Sequence, residues 1–259
     1  MGPKLKLLLT YDGTGFSGWQ KQKQSQKPTV QGTLEQLISR LFDQPVRVIG
    51  ASRTDAGVHA LGQVAHFQAP VGLEKYNILR SLNAMAPETL AVKAAWQASE
   101  DFHALASSTG KTYRYLIHNS PLQSPLRRER TLWVNRPLDL DYLNRATAQI
   151  LGQHDFKSFQ SAGSEVLTTV REVFKAQWTR KSSKTIQFEI QGSGFLKQMV
   201  RNIVGTALDL HFSGEPPEMM KEILKAQDRR KALGTAAAQG LYLVRVHYPR
   251  DLDIRCRKL

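Results

Sequence analysis

The chain has 259 residues, of which 36 are basic and 22 acidic, so that its formal net charge is +14. This length allows one large domain or two of ordinary size. The single cysteine, Cys256, excludes an internal disulfide and a multi-cysteine zinc site. No apolar run is long enough to cross a bilayer and no signal-peptide core is visible, so we expect a cytoplasmic protein. The positive charge indicates a polyanionic partner, with nucleic acid as the leading candidate.

Apolar periodicity in the first half of the chain alternates between strand and helix patterns. Period-2 stretches predict strands and period-3.6 stripes predict helices. The predicted order is a strand over 5–11, a helix over 30–41, strands over 46–49 and 64–67, a helix over 73–82 and a strand over 90–96. This is the β-α-β-β-α-β order of a ferredoxin-like unit.

The second half repeats that order with one additional helix. The predicted elements are a strand over 113–117, a helix over 142–151, strands over 170–178 and 184–190, a helix from 196 ended by Gly214, a helix near Pro217 and a strand over 241–248. We therefore expect an α+β protein with an N-terminal unit over residues 1–107 and a C-terminal unit over 108–259. Two such units could join into one extended antiparallel sheet, with helices on one side and a catalytic cleft between the units.

Three motifs suggest cofactor chemistry, but the residues around each of them do not match what the motif requires. Gly13–Gly18 matches the dinucleotide fingerprint, but a polar basic stretch that ends at Pro28 follows it instead of a helix. Gly110–Thr112 matches the end of a P-loop, but Leu105 stands where its first glycine is required. The histidines show no metal-ligand spacing. We expect neither an organic cofactor nor a metal.

The segment Ser52–Ala60 lies between two predicted strands and places Asp55 two residues from Arg53. A polar turn is the simplest interpretation, because Asp and Gly are common turn residues. A carboxylate beside an arginine on a loop of a very basic protein also suits catalysis on a polyanion. The residues of the segment alone leave both interpretations open.

The segment resembles the signature Gly-Arg-Thr-Asp-Ala-Gly-Val-His of the TruA family of tRNA pseudouridine synthases, with Ser52 in place of the usual first glycine. The resemblance extends along nearly the whole chain. It includes the motifs Tyr11–Gly13, Gly18–Gln20, Thr29–Gly32, Asp101–Ala104, Lys111–Tyr115, Gly152–Phe156, Gly194–Leu196, Met199–Gly205 and Gln239–Leu243.

The resemblance implies tandem ferredoxin-like units, a homodimer, and isomerisation of uridines at positions 38–40 in the tRNA anticodon stem-loop. It implies that Asp55 is the catalytic nucleophile and that Tyr113 contacts the substrate. It further implies that Arg201 pairs with the aspartate and that Arg53 lies beside the target base. Because serine prefers a negative φ, Ser52 raises the question of whether the loop begins as in the family.

The chemistry of these side chains is compatible with the roles that the resemblance implies, but it does not require them. An ionised Asp55 is a nucleophile, and a nearby arginine would lower its pKa; Arg53 and Arg201 could equally be surface arginines. Tyr113 could stack on uracil, but Tyr115 shares its strand face, and a core role suits either ring. The sequence does not decide whether Asp55 attacks the base or the ribose.

Basic residues elsewhere cluster in two places that could follow an RNA backbone: Lys21, Lys23 and Lys27, and Arg127, Arg128 and Arg130. The alternative function is a non-catalytic RNA-binding protein built on ferredoxin-like domains, although the aromatic signature of such modules is not visible.

Overall fold

The computed structural model describes residues 2–22, 26–71, 77–163 and 166–259. The chain forms two compact units. The first contains Met1–Thr109 together with Leu243–Leu259, and the second contains Gly110–Tyr242. Across the described residues the fold is mixed α+β with six α-helices and mostly antiparallel strands. None of those helices is long and apolar enough to span a membrane.

The first unit follows the order β-α-β-β-α-β before its C-terminal elements. Its elements are β1 (Lys4–Tyr11), α1 (Val30–Phe42), β2 (Ile49–Gly50), β3 (His59–Gln68), α2 (Ile78–Met85) and β4 (Leu90–Gln97). In its sheet β1 lies between β4 and β3, and β2 pairs with β3, all antiparallel. The side chains of Leu5, Leu7 and Leu9 are fully buried, as the alternation of β1 predicts.

The second unit contains the elements β5 (Gly110–Asn119), β6 (Leu132–Val134), α3 (Leu140–Ala148), β7 (Gly152–Asp155), β8 (Val170–Ser182), β9 (Thr185–Gly192), α4 (Met199–Ser213) and α5 (Met219–Lys225). Strands β5, β9, β8 and β7 are neighbours in that order, and β6 runs parallel to β5. Three further elements complete the chain: β10 (Leu241–His247), α6 (Arg250–Ile254) and β11 (Arg257–Lys258).

Helix α1 shows why the sequence pattern predicts its position well. Thr29 caps its first turn by accepting a hydrogen bond from the Gly32 amide, and Asp43 ends it at φ 53°. Val30, Leu34 and Ile38 are buried along one stripe. The predicted helix over 30–41 is confirmed to within one residue.

The strand predicted over 46–49 is wrong for most of its length, because β2 contains only Ile49 and Gly50. Side chains of α1 bind the preceding backbone instead. The Val46 amide donates to Ser39 Oγ at 3.0 Å, and the Val48 amide donates to Glu35 Oε1 at 3.1 Å. These backbone groups therefore need no strand partner.

Two helix positions also differ from the prediction. The helix predicted from residue 196 begins at Met199, because Gln198 has a left-handed backbone with φ 60°. The helix predicted over 73–82 lies partly outside the described residues; α2 is described from Ile78, capped by Asn77. Strands β6, β7 and β11 and helix α6 were not predicted, since each spans five residues or fewer.

Candidate active site

Asp55 occupies the first position of a tight turn in the loop between β2 and β3. The Val58 amide donates to the Asp55 carbonyl at 3.1 Å, and Gly57 in the third position has φ 77°. A positive φ at this position favours glycine over any other residue. The turn leaves Asp55 half-buried and Arg53 exposed. Both side chains therefore project from one short, defined stretch of backbone.

Gly18 holds this loop from the other side. Its φ is 91°, and a Cβ placed on it would lie 2.6 Å from the Thr54 carbonyl oxygen. The Trp19 amide donates to that same oxygen at 3.0 Å. Gly13 makes a similar approach, since its Cβ would lie 2.1 Å from the Val58 oxygen. Two of the three glycines of the apparent dinucleotide motif, Gly13 and Gly18, thus let two backbone segments touch next to Asp55.

Side chains from β1 and β3 fix the start of the loop. Gln63 is fully buried, its Oε1 accepts from the Ser52 amide at 3.2 Å, and its Nε2 donates to the Ser52 carbonyl at 2.7 Å. The Tyr11 hydroxyl and Thr54 Oγ1 lie 2.8 Å apart. Ser52 is not among the residues with positive φ. Serine is therefore compatible with the backbone at the position where the signature has glycine.

In the second unit, Tyr115 is a structural residue. Its ring is fully buried, Gly240 packs against it, and its hydroxyl donates to the Ala237 carbonyl at 2.7 Å. Burial raises the pKa of Tyr115 well above its usual value, although the nearby charge of Arg201 acts in the opposite direction. Tyr113 is 5% exposed and meets the Phe195 ring edge-on at 5.2 Å between centroids.

Arg201 lies in the first turn of α4, half-buried. Its Nε donates to the Ala236 carbonyl at 2.7 Å, and its own carbonyl accepts from the Ala236 amide at 3.0 Å. The guanidinium therefore has a defined position beside Tyr115 and the segment that precedes β10.

A buried polar network holds that segment in place. Asn202 is fully buried and donates through Nδ2 to the Phe159 carbonyl at 2.7 Å. Its Oδ1 accepts from Thr235 Oγ1 at 2.7 Å and from Arg229 Nη2 at 3.3 Å. Sequence reasoning did not identify this network or the role of Gln63. The only sequence signals were Asn202 next to Arg201 in one motif and Gln63 just before the strand predicted over 64–67.

The structure places the predicted site residues in two groups. Arg53 and Asp55 share one loop of the first unit, whereas Tyr113 and Arg201 belong to the second unit. Of the predicted basic clusters, Lys21 pairs with Glu35 at 3.1 Å, Arg127 Nη1 donates to Thr185 Oγ1 at 2.9 Å, and Lys23 lies outside the described residues.

Comparison with known proteins identifies the class of protein that carries such a loop. A family model described as tRNA pseudouridine synthase matches residues 8–105 and 146–249. A protein of Bdellovibrio bacteriovorus called tRNA pseudouridine synthase A is 48% identical over the full length of both chains. Proteins of the same name from Acetivibrio thermocellus and Francisella philomiragia are 44% and 38% identical, over 94% of this chain and 99% and 93% of theirs. The chain therefore belongs to the TruA family of tRNA pseudouridine synthases, as its motifs predict.

Proposed function

We propose that this chain, a tRNA pseudouridine synthase by family, isomerises uridines of the anticodon stem-loop and uses Asp55 as its nucleophile. The observation that supports this most strongly is the position of Asp55. It is an ionisable side chain on a turn that Gly18, Gly57 and Gln63 hold in one conformation. A catalytic group requires such preorganisation, because small displacements cost large factors in rate.

The proposed reaction needs no net oxidation or reduction. The bond between C1′ and N1 of uridine breaks, a bond between C1′ and C5 forms, N1 gains a proton and the hydrogen on C5 leaves as a proton. A carboxylate can form a covalent intermediate that divides this exchange into two easier steps. Attack at the base and attack at the ribose both remain compatible with Asp55.

The other predicted residues take supporting roles in this proposal. The uridine must leave its stack, which costs a few kcal/mol, and Arg53 would occupy or brace the space that it leaves. Arg201 would pair with the Asp55 carboxylate through its positive charge. Tyr113 would stack on the uracil, a role for which it is the better candidate because the Tyr115 hydroxyl is bound to Ala237.

The proposal extends to the architecture that the family resemblance implies. Each unit would be ferredoxin-like. The first, predicted over residues 1–107, would carry the catalytic aspartate, and the second, predicted over residues 108–259, would supply Tyr113 and Arg201, although Leu243–Leu259 belongs to the first compact unit. The two sheets would join with helices on one side and a cleft between them. The enzyme would act without a cofactor, as a homodimer in the cytoplasm.

The deciding experiment compares Asp55→Asn with Asp141→Asn, which removes the same charge from an exposed residue in the first turn of α3. Release of tritium from C5-labelled uridine in tRNA reports catalysis, and filter binding on the same samples reports affinity. We expect Asp55→Asn to abolish release with affinity within a few-fold of wild type, and Asp141→Asn to retain both. Release by folded Asp55→Asn at near the wild-type rate would remove Asp55 from the mechanism. A wild type that binds tRNA without releasing tritium would favour the RNA-binding alternative.

A further inference from the structure

A second concave site lies in the second unit, in the long connection between β5 and β6. Its cavity volume is 580 Å³. The polar groups that line it are His118, Ser120, Gln123, Ser124, Arg127 and Lys184. We call this site the loop pocket. It includes none of the residues proposed to act on the reacting uridine.

The loop pocket is formed by a connected set of hydrogen bonds. Arg127 Nη1 donates to Thr185 Oγ1 at 2.9 Å, which ties the loop to the first residue of β9. The Asn119 amide donates to the Lys184 carbonyl at 3.0 Å. Trp133 Nε1 donates to the Ser120 carbonyl at 2.8 Å. These bonds fix the walls of the loop pocket although the connection is mostly irregular.

The electrostatics of the loop pocket favour an anion. Two cations, Arg127 and Lys184, line it together with hydroxyl and amide groups, and no carboxylate is among its lining residues. The planar fork of an arginine and the compact ammonium of a lysine are the usual partners of phosphate oxygens. His118 is 5% exposed, and its Nδ1 is buried without a hydrogen-bond partner among the described residues. Such a group is uncommon in a folded protein, and sites that bind polar ligands are among its explanations.

The remaining wall is apolar. Pro121, Leu122 and Pro125 line the loop pocket, and Leu122 is 79% exposed. Proline rings and a leucine side chain offer a flat, poorly hydrated surface to the sugar or the base of a nucleotide. A lining that combines cations with apolar groups matches a nucleotide better than it matches an isolated inorganic ion.

We propose that the loop pocket binds a backbone phosphate of tRNA, with part of its nucleotide, at a position other than the reacting uridine. The proposal rests on the proposed function, because it takes tRNA as the ligand. Arg127 and Lys184 contact the phosphate, and Pro121 and Leu122 contact the adjoining sugar or base. The contact positions the RNA and reads no sequence, as is usual for phosphate contacts.

The test uses the full-length double variant Arg127→Gln/Lys184→Gln. Its matched control, Arg40→Gln/Lys221→Gln, removes the same formal charge from exposed residues of α1 and α5. We expect tRNA affinity at moderate salt to fall about 10-fold in the variant and less than about 2-fold in the control. The slope of log affinity against log salt should become shallower by about one in the variant. Equal losses in the two proteins would overturn the proposal, because overall charge alone would then explain them.

Phosphate ethylation interference locates the contact. For the wild type, ethylation of at least one phosphate outside the reacting nucleotide should block binding, and the Arg127→Gln/Lys184→Gln variant should lose sensitivity at that phosphate. An unchanged interference pattern would overturn the proposal.

Titration with inorganic phosphate in a calorimeter tests whether the ligand of the loop pocket is a small phosphate compound instead of tRNA. Phosphate binding that requires Arg127 and Lys184, with unchanged tRNA affinity in the variant, would reassign the loop pocket to a small phosphate compound.

The binding and interference results can be distinguished from a failure of the proposed function. Binding and interference are measured without catalysis, whereas the role of Asp55 is judged by tritium release. A wild type that releases tritium and shows no protected phosphate at the loop pocket would overturn this inference and leave the Asp55 proposal intact.

Discussion

The loop that carries Asp55 and the segment beside Arg201 are held in place by different means. Two glycines let backbone press directly on backbone near Asp55, where a Cβ on Gly18 would lie 2.6 Å from the Thr54 carbonyl oxygen. Beside Arg201, a buried amide, Asn202, gathers hydrogen bonds from Thr235 and Arg229. Beyond the start of its loop, which Gln63 holds, the first region depends on the absence of side-chain atoms at Gly13 and Gly18, whereas the second depends on a side-chain network.

The two means of support should fail in different ways. A backbone contact without a Cβ leaves no room for any other residue, so one added methyl group must displace the loop. A hydrogen-bond network loses free energy bond by bond, and neighbouring groups can partly compensate. Substitutions in the first region should therefore affect catalysis more than substitutions in the second.

The largest effect is expected for Gly18→Ala. The substitution strains a backbone at φ 91° and forces Thr54–Ala56 to move. We expect the single-turnover rate of tritium release to fall about 100-fold, as for a displacement of about 1 Å, with tRNA affinity within a few-fold of wild type. Gly15→Ala is the control, because a Cβ there meets nothing within 4 Å. If both variants lose the same activity, the close contact at Gly18 does not position Asp55.

The next largest effect is expected on lowering the pH, which should reduce the free energy of unfolding through a buried histidine of the first unit. His66, on the same strand as Gln63, has its pKa lowered from 6.5 to about 4, mainly by burial and then by His103 and Lys4. Its neutral Nδ1 accepts from the Ala104 amide at 3.1 Å. Between pH 6.5 and about 4 the unfolded chain binds the additional proton, so the stability contribution is complete above pH 6.5 and is lost as the pH falls through this window.

The expected loss from this histidine is up to about 3 kcal/mol in the free energy of unfolding at the acid end. Urea unfolding of wild type and His66→Gln at pH 7 and pH 4.5 measures it, because the difference between the proteins removes the titration of carboxylates. The side chains of Asn202 and Thr235 carry no ionisable group. A wild type that loses no more stability with acid than His66→Gln would contradict the assignment.

The smallest effect is expected for Asn202→Ala. Removal of the amide takes one acceptor from each of Thr235 and Arg229 and should lower the free energy of unfolding by about 2 kcal/mol. If the network positions Arg201, the rate of tritium release should also fall by about 10-fold. Asn144→Ala is the control, because Asn144 makes two comparable hydrogen bonds to the Trp178 backbone in the same unit. An equal loss of rate in both variants would leave Asn202 with a purely structural role.

The sequence predicts the elements and residues that depend on local periodicity or on a signature. It does not predict contacts between residues that are distant in the sequence. The stripe of α1 and the alternation of β1 are local patterns, so both elements were placed closely. β2 was misplaced because Ser39 and Glu35 bind the backbone before it. No periodicity shows that a helix side chain will do this.

The same distinction applies to the residues of the candidate site. The signature singles out Asp55 and Arg53, and the motif beginning at Met199 singles out Arg201. The role of Gly18 depends on a segment more than thirty residues away and becomes visible only in the fold. Tyr113 and Tyr115 share a strand face in the sequence. Their roles are distinguished in the structure, where the Tyr115 hydroxyl donates to the Ala237 carbonyl.

The short strand β11 has a practical consequence for handling the protein. It pairs with Gln97 and Trp96 of β4 through Arg257 and Lys258, and thereby covers that end of the outer edge of the first unit's sheet with two basic residues. Uncovered strand edges pair readily with other chains, and lysine or arginine on an edge opposes this. A purification tag fused directly to Leu259 would compete with that pairing. A preparation tagged there would be prone to aggregate, whereas a tag separated from Leu259 by a flexible spacer would leave the edge covered.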